Sequence, residues 1–194
     1  MRPKQVADQL ANVTGPAGAA RLKGDRLEGG GKLHMQSLAA IAHLDFNDPV
    51  ANSYEQALFT MRRMGLPMAQ LEEQFRRMVF NVLARNQDDH VKNIAFLMDR
   101  AGRWRLSPAF DITWSYNPDG EWTSRHQMSI NGKRDGFDFA DLESCAKTAS
   151  ISRGHVGRIF DEVRAAVEEL WQARGQLSGQ LLRQQSALQE LLVA

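Results

Sequence analysis

Apolar residues return every three or four positions along several stretches of the chain, the pattern of helices that bury one face. Met35, Leu38, Ala39, Ile41 and Ala42 predict a short helix that Pro49 closes off downstream. A second helix is predicted over 54–64. The strongest follows it: Pro67 stands where a helix start tolerates proline, and Leu71, Phe75, Met78, Val79 and Val82 share one face through Leu83. After Asn86 the period changes. A polar, acidic loop leads into Ile94-Ala95-Phe96-Leu97-Met98, then a turn with Gly102, then Trp104-Arg105-Leu106, which together predict a β-hairpin. From 116 to 138, Pro118, Gly120, Gly132 and Gly136 predict a long loop, of the kind that carries function in compact domains. Helices resume near Phe139, and Val156, Ile159, Phe160, Val163, Val167 and Leu170 line one face of another. Residues 177–193 read as a Gln/Leu-rich amphipathic finish, either a terminal helix packed on the domain or a helix that binds a partner. Residues 1–31 carry six glycines and no sustained apolar period, which predicts a poorly ordered lead-in, or the remnant of a connector, before a domain at 32–194.

Composition narrows the class. With 43% hydrophobic and 24% charged residues in a chain of 194, a single globular domain with its own core is expected, and a disordered tail or collagen-like scaffold is excluded. A formal charge of +1 argues against a surface that is a nucleic-acid clamp throughout, though it allows a local basic patch. The one cysteine, Cys145, excludes an internal disulfide and a thiolate metal cluster and fits a reducing cytosol. The sequence has no secretory signal and no long uncharged apolar run, so a cytoplasmic protein without a membrane contact is expected. Gly29-Gly30-Gly31-Lys32 does not make a phosphate loop, because Arg26 stands where the first glycine is needed and Leu33 where Ser or Thr would meet magnesium.

The candidate chemistry lies in Asn86-Gln87-Asp88-Asp89-His90-Val91-Lys92-Asn93, with Phe110-Asp111-Ile112 following 18 residues after Asn93. In a protein-kinase catalytic loop an aspartate accepts the substrate hydroxyl's proton and an asparagine five residues later holds magnesium; a later aspartate holds metal against the phosphates. Asp88, Asn93 and Asp111 have that spacing, and a hairpin over 94–106 would return the chain to place Asp111 beside the first two. Hard oxygen donors of this kind suit magnesium, which keeps several waters and leans on phosphates. Alone, the pattern D-x-x-x-x-N is weak, since Asp and Asn are common in loops.

The wider string is specific. Residues 81–93, then Trp104-Arg105-Leu106-Ser107-Pro108-Ala109-Phe110-Asp111-Ile112, resemble the C-terminal domain of the HipA-like serine/threonine kinases, the toxin halves of bacterial toxin–antitoxin pairs. Lys32-Leu33-His34-Met35-Gln36, Asp45-Phe46-Asn47-Asp48-Pro49 and His126-Gln127-Met128-Ser129 are similar as well, so the resemblance covers roughly 25–175. It implies a mainly α fold, the helical lower lobe of a kinase-like protein with a short β-hairpin. It implies transfer of the ATP γ-phosphoryl group to a protein Ser or Thr, with Asp88 as the catalytic aspartate. It further implies that His90, Val91, Lys92 and Asn93, with Phe110, Asp111, Ile112 and Thr113, contact the nucleotide, that Lys92 offsets phosphate charge, and that Asn93 and Asp111 hold Mg2+. An antitoxin, itself a DNA-binding repressor, is the implied partner, so contact with DNA would be indirect.

The family's full-length kinases carry an upstream β-rich lobe with a phosphate-covering loop and a phosphate-pairing lysine, which this sequence lacks. Two readings follow from that: a truncated or split enzyme whose upper lobe is a separate polypeptide, or a catalytically inactive lobe that binds the antitoxin or a target. Several residues also have plainer readings. Asp89 reads as a solvated neighbour of Asp88, and His90 as a nucleotide contact, an orienter of Asp88 or a packed core histidine. Asn93 and Asp111 read as metal ligands or as a loop-amide partner and a turn cap. His34, His43 and His126 lack ligand spacing and read as structural, Cys145 as a small buried hydrophobe, and Trp104, Trp114 and Trp122 as core or loop packing.

Overall fold

The computed structural model describes Asp25 and residues 31–173; most of the predicted lead-in and the whole finish at 177–193 lie outside the described residues. Among the described residues there are five helices and one small sheet. The chain order is β1 (His34–Ser37), α1 (Leu38–Ala42), α2 (Tyr54–Arg63), α3 (Met68–Leu83), β2 (Ala95–Met98), β3 (Trp104–Leu106), α4 (Phe139–Thr148) and α5 (Arg153–Ala173). The strands are antiparallel in the order β1-β2-β3, with Met35 opposite Leu97 and Phe96 opposite Leu106.

The predicted hairpin is β2–β3, but its first strand has a second partner that local pattern does not reveal. Residues 34–37 form β1, so the helix expected from Met35 begins only at Leu38. The period through Met35, Leu38 and Ile41 fits either state, and pairing with a strand some sixty positions away decides it. Ser37 marks the true start, since its hydroxyl accepts from the Ala40 amide at 3.3 Å.

Local chemistry fixes the other helix ends. At the start of α2, Ser53 and Gln56 exchange side-chain and backbone hydrogen bonds in a capping box, and Asp138 and Asp141 do the same for α4. Pro67 precedes α3, as the sequence predicts. That helix stops where Arg85 turns left-handed at φ 55°: the Asn86 amide reaches back to the Asn81 carbonyl at 2.9 Å and the Arg85 amide to Val82 at 3.4 Å. The stop sets the direction in which the acidic loop leaves. Inside the long predicted loop, Asn131-Gly132 makes a tight two-residue turn, with Ile130 and Lys133 exchanging both backbone hydrogen bonds at 2.9 Å.

The core lies around α3, which packs against α2 and α5, with α4 closing the far side against both. Phe75, Met78 and Val79 from α3 meet Leu58 and Met61 of α2, Leu142 and Cys145 of α4, and Ile159 and Val163 of α5, all fully buried. Cys145 is the small hydrophobe expected: its Sγ lies 3.7 Å from Met78 Sδ, and burial pushes the thiol well above its ordinary range. Of the tryptophans, Trp104 is half-buried edge-on to His34, whereas Trp114 and Trp122 are 42% and 47% exposed, so they do not join the core. No described helix is long and apolar enough to cross a membrane.

Candidate functional site

The loop from Asn86 to Asn93 crosses between the end of α3 and the start of β2, and a cavity opens beside it. Its wall brings together His90, Asn93, Phe110, Asp111 and Ile112 with Tyr54, Gln74, Arg77, Asn81, Asn86 and Asp89. The hairpin thus does what the spacing requires, carrying Asp111 back to Asn93 although 18 residues separate them.

Asn93 has a fixed orientation. Its amide Nδ2 donates to the Asp88 carbonyl at 2.9 Å, and its backbone N–H to the His90 carbonyl at 2.9 Å, which leaves Oδ1 as its coordinating atom. Asp111 is exposed and takes a left-handed backbone, φ 54°. Five non-glycine residues have positive φ among those described, and four of them have a local cause: His43, Arg85 and Ser150 end helices, and Asn131 makes the hairpin turn. Asp111 alone does neither. Strain of this kind costs on the order of 1–3 kcal/mol and gathers at functional sites.

Asp88 stands beside the cavity and not in its wall. Its side chain is 48% exposed with Oδ1 3.9 Å from Nε2 of His90, and its amide donates to Ser115 Oγ at 2.9 Å. His90 lines the cavity, and its Nδ1 is buried without a hydrogen-bond partner; the buried Gln74 Oε1 and Asn86 Oδ1 are unpartnered there too. Three buried polar atoms without a partner in residues of one cavity wall are unusual, since buried polar atoms are nearly always hydrogen-bonded.

Three expected contacts lie elsewhere. Val91 is fully buried and its carbonyl accepts from Ala39, so its side chain belongs to the core and not to a ligand surface. Lys92 is exposed with Nζ 2.9 Å from the Phe46 ring centroid, a cation–π contact outside the cavity wall. Thr113 is exposed and is also absent from the wall.

Asp89 overturns its sequence reading most sharply. It is 3% exposed, not solvated, and it accepts from the Tyr54 hydroxyl at 2.7 Å, from His126 Nδ1 at 2.8 Å and from the Gln127 amide at 2.8 Å. Burial acts to raise its carboxyl, but the adjoining His126 ring and the three donors outweigh it and hold it below the ordinary carboxylate range. An ionised carboxylate only accepts, so Nδ1 carries the proton in the His126 contact. Burial, then the Asp89 charge, push the Tyr54 hydroxyl well above its usual range, so it stays a donor. Tyr54 in turn accepts from Asn81 Nδ2 at 2.9 Å, and Asn81 Oδ1 accepts from Asn86 Nδ2 at 3.0 Å. Sequence pattern gave Tyr54 and Asn81 only as helix positions; polar residues on an otherwise apolar helix face were the one available signal.

On the cavity's far wall, Arg77 is held by Glu73 at 2.7 Å and donates to the Ser107 carbonyl at 2.9 Å, tying α3 to the exit of the hairpin. Magnesium suits this donor set. Among the described residues no three His, Cys, Asp or Glu side chains converge as a metal cage, which an ion carried on phosphates does not need. One carboxylate, Asp111, whose oxygens accept from no described residue, and one amide oxygen, that of Asn93, line the same cavity and are the groups that would hold such an ion.

Comparison with known proteins bears on the fold and the family. No curated protein matches the chain. Among solved structures, the fold matches a chain from the HipA, HipB and operator DNA complex of the Shewanella oneidensis MR-1 toxin–antitoxin system, with TM-score 0.62 at 15% identity. The match covers 94% of this chain and 51% of that one, so the chain spans about half the length of its structural relative. The model of the HipA-like C-terminal domain matches residues 21–171, and the chain therefore belongs to the family of HipA-like C-terminal domains.

Proposed function

We propose that this chain is the lower lobe of a HipA-family protein serine/threonine kinase, which binds Mg-ATP at the Asn93–Asp111 cavity and directs the γ-phosphoryl group to a protein hydroxyl. The observation that carries the reading is Asp111: a residue of left-handed backbone whose carboxylate has no described partner, in the same cavity wall as Asn93, whose side-chain orientation is fixed. Asn93 and Asp111 would hold Mg2+, which when bound supplies positive charge to the phosphate oxygens as the phosphoryl group moves. Asp88 accepts the hydroxyl proton as the oxygen–phosphorus bond forms and the bond to the departing ADP oxygen breaks. Its half-exposed carboxylate can then release that proton to water. His90, 3.9 Å away, orients Asp88, and its open Nδ1 faces the cavity side.

The solved relative is about twice as long, and in this proposal a second lobe outside these 194 residues completes the nucleotide site. An antitoxin of the DNA-binding repressor class is the proposed partner, with DNA contacted only through it. A second reading, an inactive lobe kept as an antitoxin- or target-binding module, is favoured by one observation: Asp88 lies outside the cavity wall.

Calorimetric titration of Mg-ATP into the full chain separates these. Saturable binding that Asp111→Ala abolishes and Asp88→Asn preserves supports the nucleotide site; transfer from γ-labelled ATP that Asp88→Asn lowers by about 10²–10⁴-fold supports the base. Binding without transfer favours the module, and no saturable binding up to millimolar nucleotide overturns the kinase reading.

A further inference from the structure

Beside the backbone-to-backbone bonds of the loop between Asn86 and Asn93, among them the Val91 carbonyl on the Ala39 amide, four of its contacts involve side chains. Two are backbone-level: the Asp88 amide on Ser115 Oγ, and the Asn93 side chain on the Asp88 carbonyl. The third is Asn86, whose Nδ2 reaches Asn81. The fourth, Asp89, differs in kind, because it is a buried anion and its donors come from outside the loop. Tyr54 opens α2, while His126 and Gln127 belong to the segment that runs beside α2, where Ser129 bonds backbone to backbone with Asn52 and Tyr54. That segment is braced again by Arg134, whose Nε donates to the His126 carbonyl at 2.6 Å.

Neighbouring side chains in the sequence point opposite ways here. Asp88 faces solvent and Asp89 faces the core, so any rotation of the loop that moved one would move the other. Hydrogen bonds to a charged group are stronger than those between neutral groups, and a buried carboxylate deprived of donors is strongly disfavoured. Three such bonds give the loop one allowed register. We propose that Asp89 is the positioning residue of the site, a buried anion that sets where Asp88, His90 and Asn93 stand without touching substrate or nucleotide. The consequence for binding rests on the phosphotransferase reading; the consequence for the loop does not.

The test uses the full chain and compares Asp89→Asn with Asp141→Asn, which removes the charge of an equally buried carboxylate in the α4 capping box. Residue-resolved amide hydrogen exchange is the first readout. With Asp89→Asn, the Asp88 and Asn93 amides should exchange at least tenfold faster relative to Phe75 and Val79 in α3, whereas Asp141→Asn should leave that ratio unchanged. The second readout is Mg-ATP affinity, expected to fall at least tenfold in Asp89→Asn and less than twofold in Asp141→Asn. Should Asp89→Asn fail to fold, Tyr54→Phe removes one donor and should raise the same loop-to-core ratio by a smaller factor. A ratio unchanged in Asp89→Asn, or in Tyr54→Phe where that variant must serve, overturns the proposal and leaves Asp89 a general stabiliser. If the parent chain binds no Mg-ATP, the kinase reading fails while the exchange ratio still decides the role of Asp89.

Discussion

Asp111→Gly and Asp111→Ala should separate in stability although both remove the same carboxylate. Left-handed backbone costs an L residue on the order of 1–2 kcal/mol, because Cβ crowds the following carbonyl, and glycine escapes that cost. Glycine in turn gives up about 0.5–1 kcal/mol more chain entropy on folding. At φ 54° and on the surface, with no buried contact to lose, the difference leaves the glycine variant more stable than the alanine variant by about 0.5–1 kcal/mol. For a chain of this size the gap corresponds to roughly 1–4 °C in Tm, readable by urea titration and thermal unfolding side by side. Both variants should lose Mg-ATP binding together. An alanine variant as stable as the glycine variant would refute the claim that the site stores backbone strain in Asp111. Glycine more stable and nucleotide binding gone would mean that the native residue is kept there at a cost in stability, for its carboxylate.

Three further outcomes follow from the geometry. Tyr54→Phe removes a buried donor to the Asp89 carboxylate and an acceptor for Asn81, and should cost about 1.5–3 kcal/mol in urea unfolding, while Tyr116→Phe in the half-buried loop should cost less than about 0.5. Stability should fall as the solution is acidified, because the folded Asp89 is held below the ordinary carboxylate range and the unfolded chain takes up that proton at a higher pH. Its contribution is complete above the ordinary range and is lost as pH drops through the depressed value; with His126, Tyr54 and the nearby Arg134 still in place, Asp89→Asn should flatten this limb. Phe75→Ala, at the centre of the core and fully buried, should cost about 3–5 kcal/mol in the same assay.

Much of the architecture was legible because it is local. The apolar spacing through Leu71, Phe75, Met78 and Val82 was enough to place α3, and α2 and α4 begin at the residues whose caps the sequence displays. The hairpin was legible from two β-rich runs about Gly102. What local pattern misses is pairing at a distance: β1 exists because of β2, and its residues satisfy a helical period equally well. The candidate site divides in the same way. Spacing singled out Asp88, Asn93 and Asp111, and the wider resemblance added His90; of these, His90, Asn93 and Asp111 line one cavity and Asp88 stands beside it. Asp89 could not be told from its neighbour, because Tyr54 and His126, which make it a buried anchor, lie 35 and 37 residues from it in opposite directions along the chain. The side chains of Val91 and Lys92 lie in the core and on the surface for a related reason: consecutive residues of a short loop alternate between core, surface and cavity, and only the packing says which takes which side.

The central claim, that Asn93 and Asp111 together hold the metal of a bound nucleotide, is tested most directly by replacing magnesium with paramagnetic Mn2+. In the presence of a non-hydrolysable ATP analogue, amide signals of Asn93, Asp111 and Ile112 should broaden steeply as Mn2+ is added, those of α5 should not, and Asp111→Ala should abolish the selectivity. Uniform broadening across the chain, or selective broadening that survives in Asp111→Ala, would contradict the account.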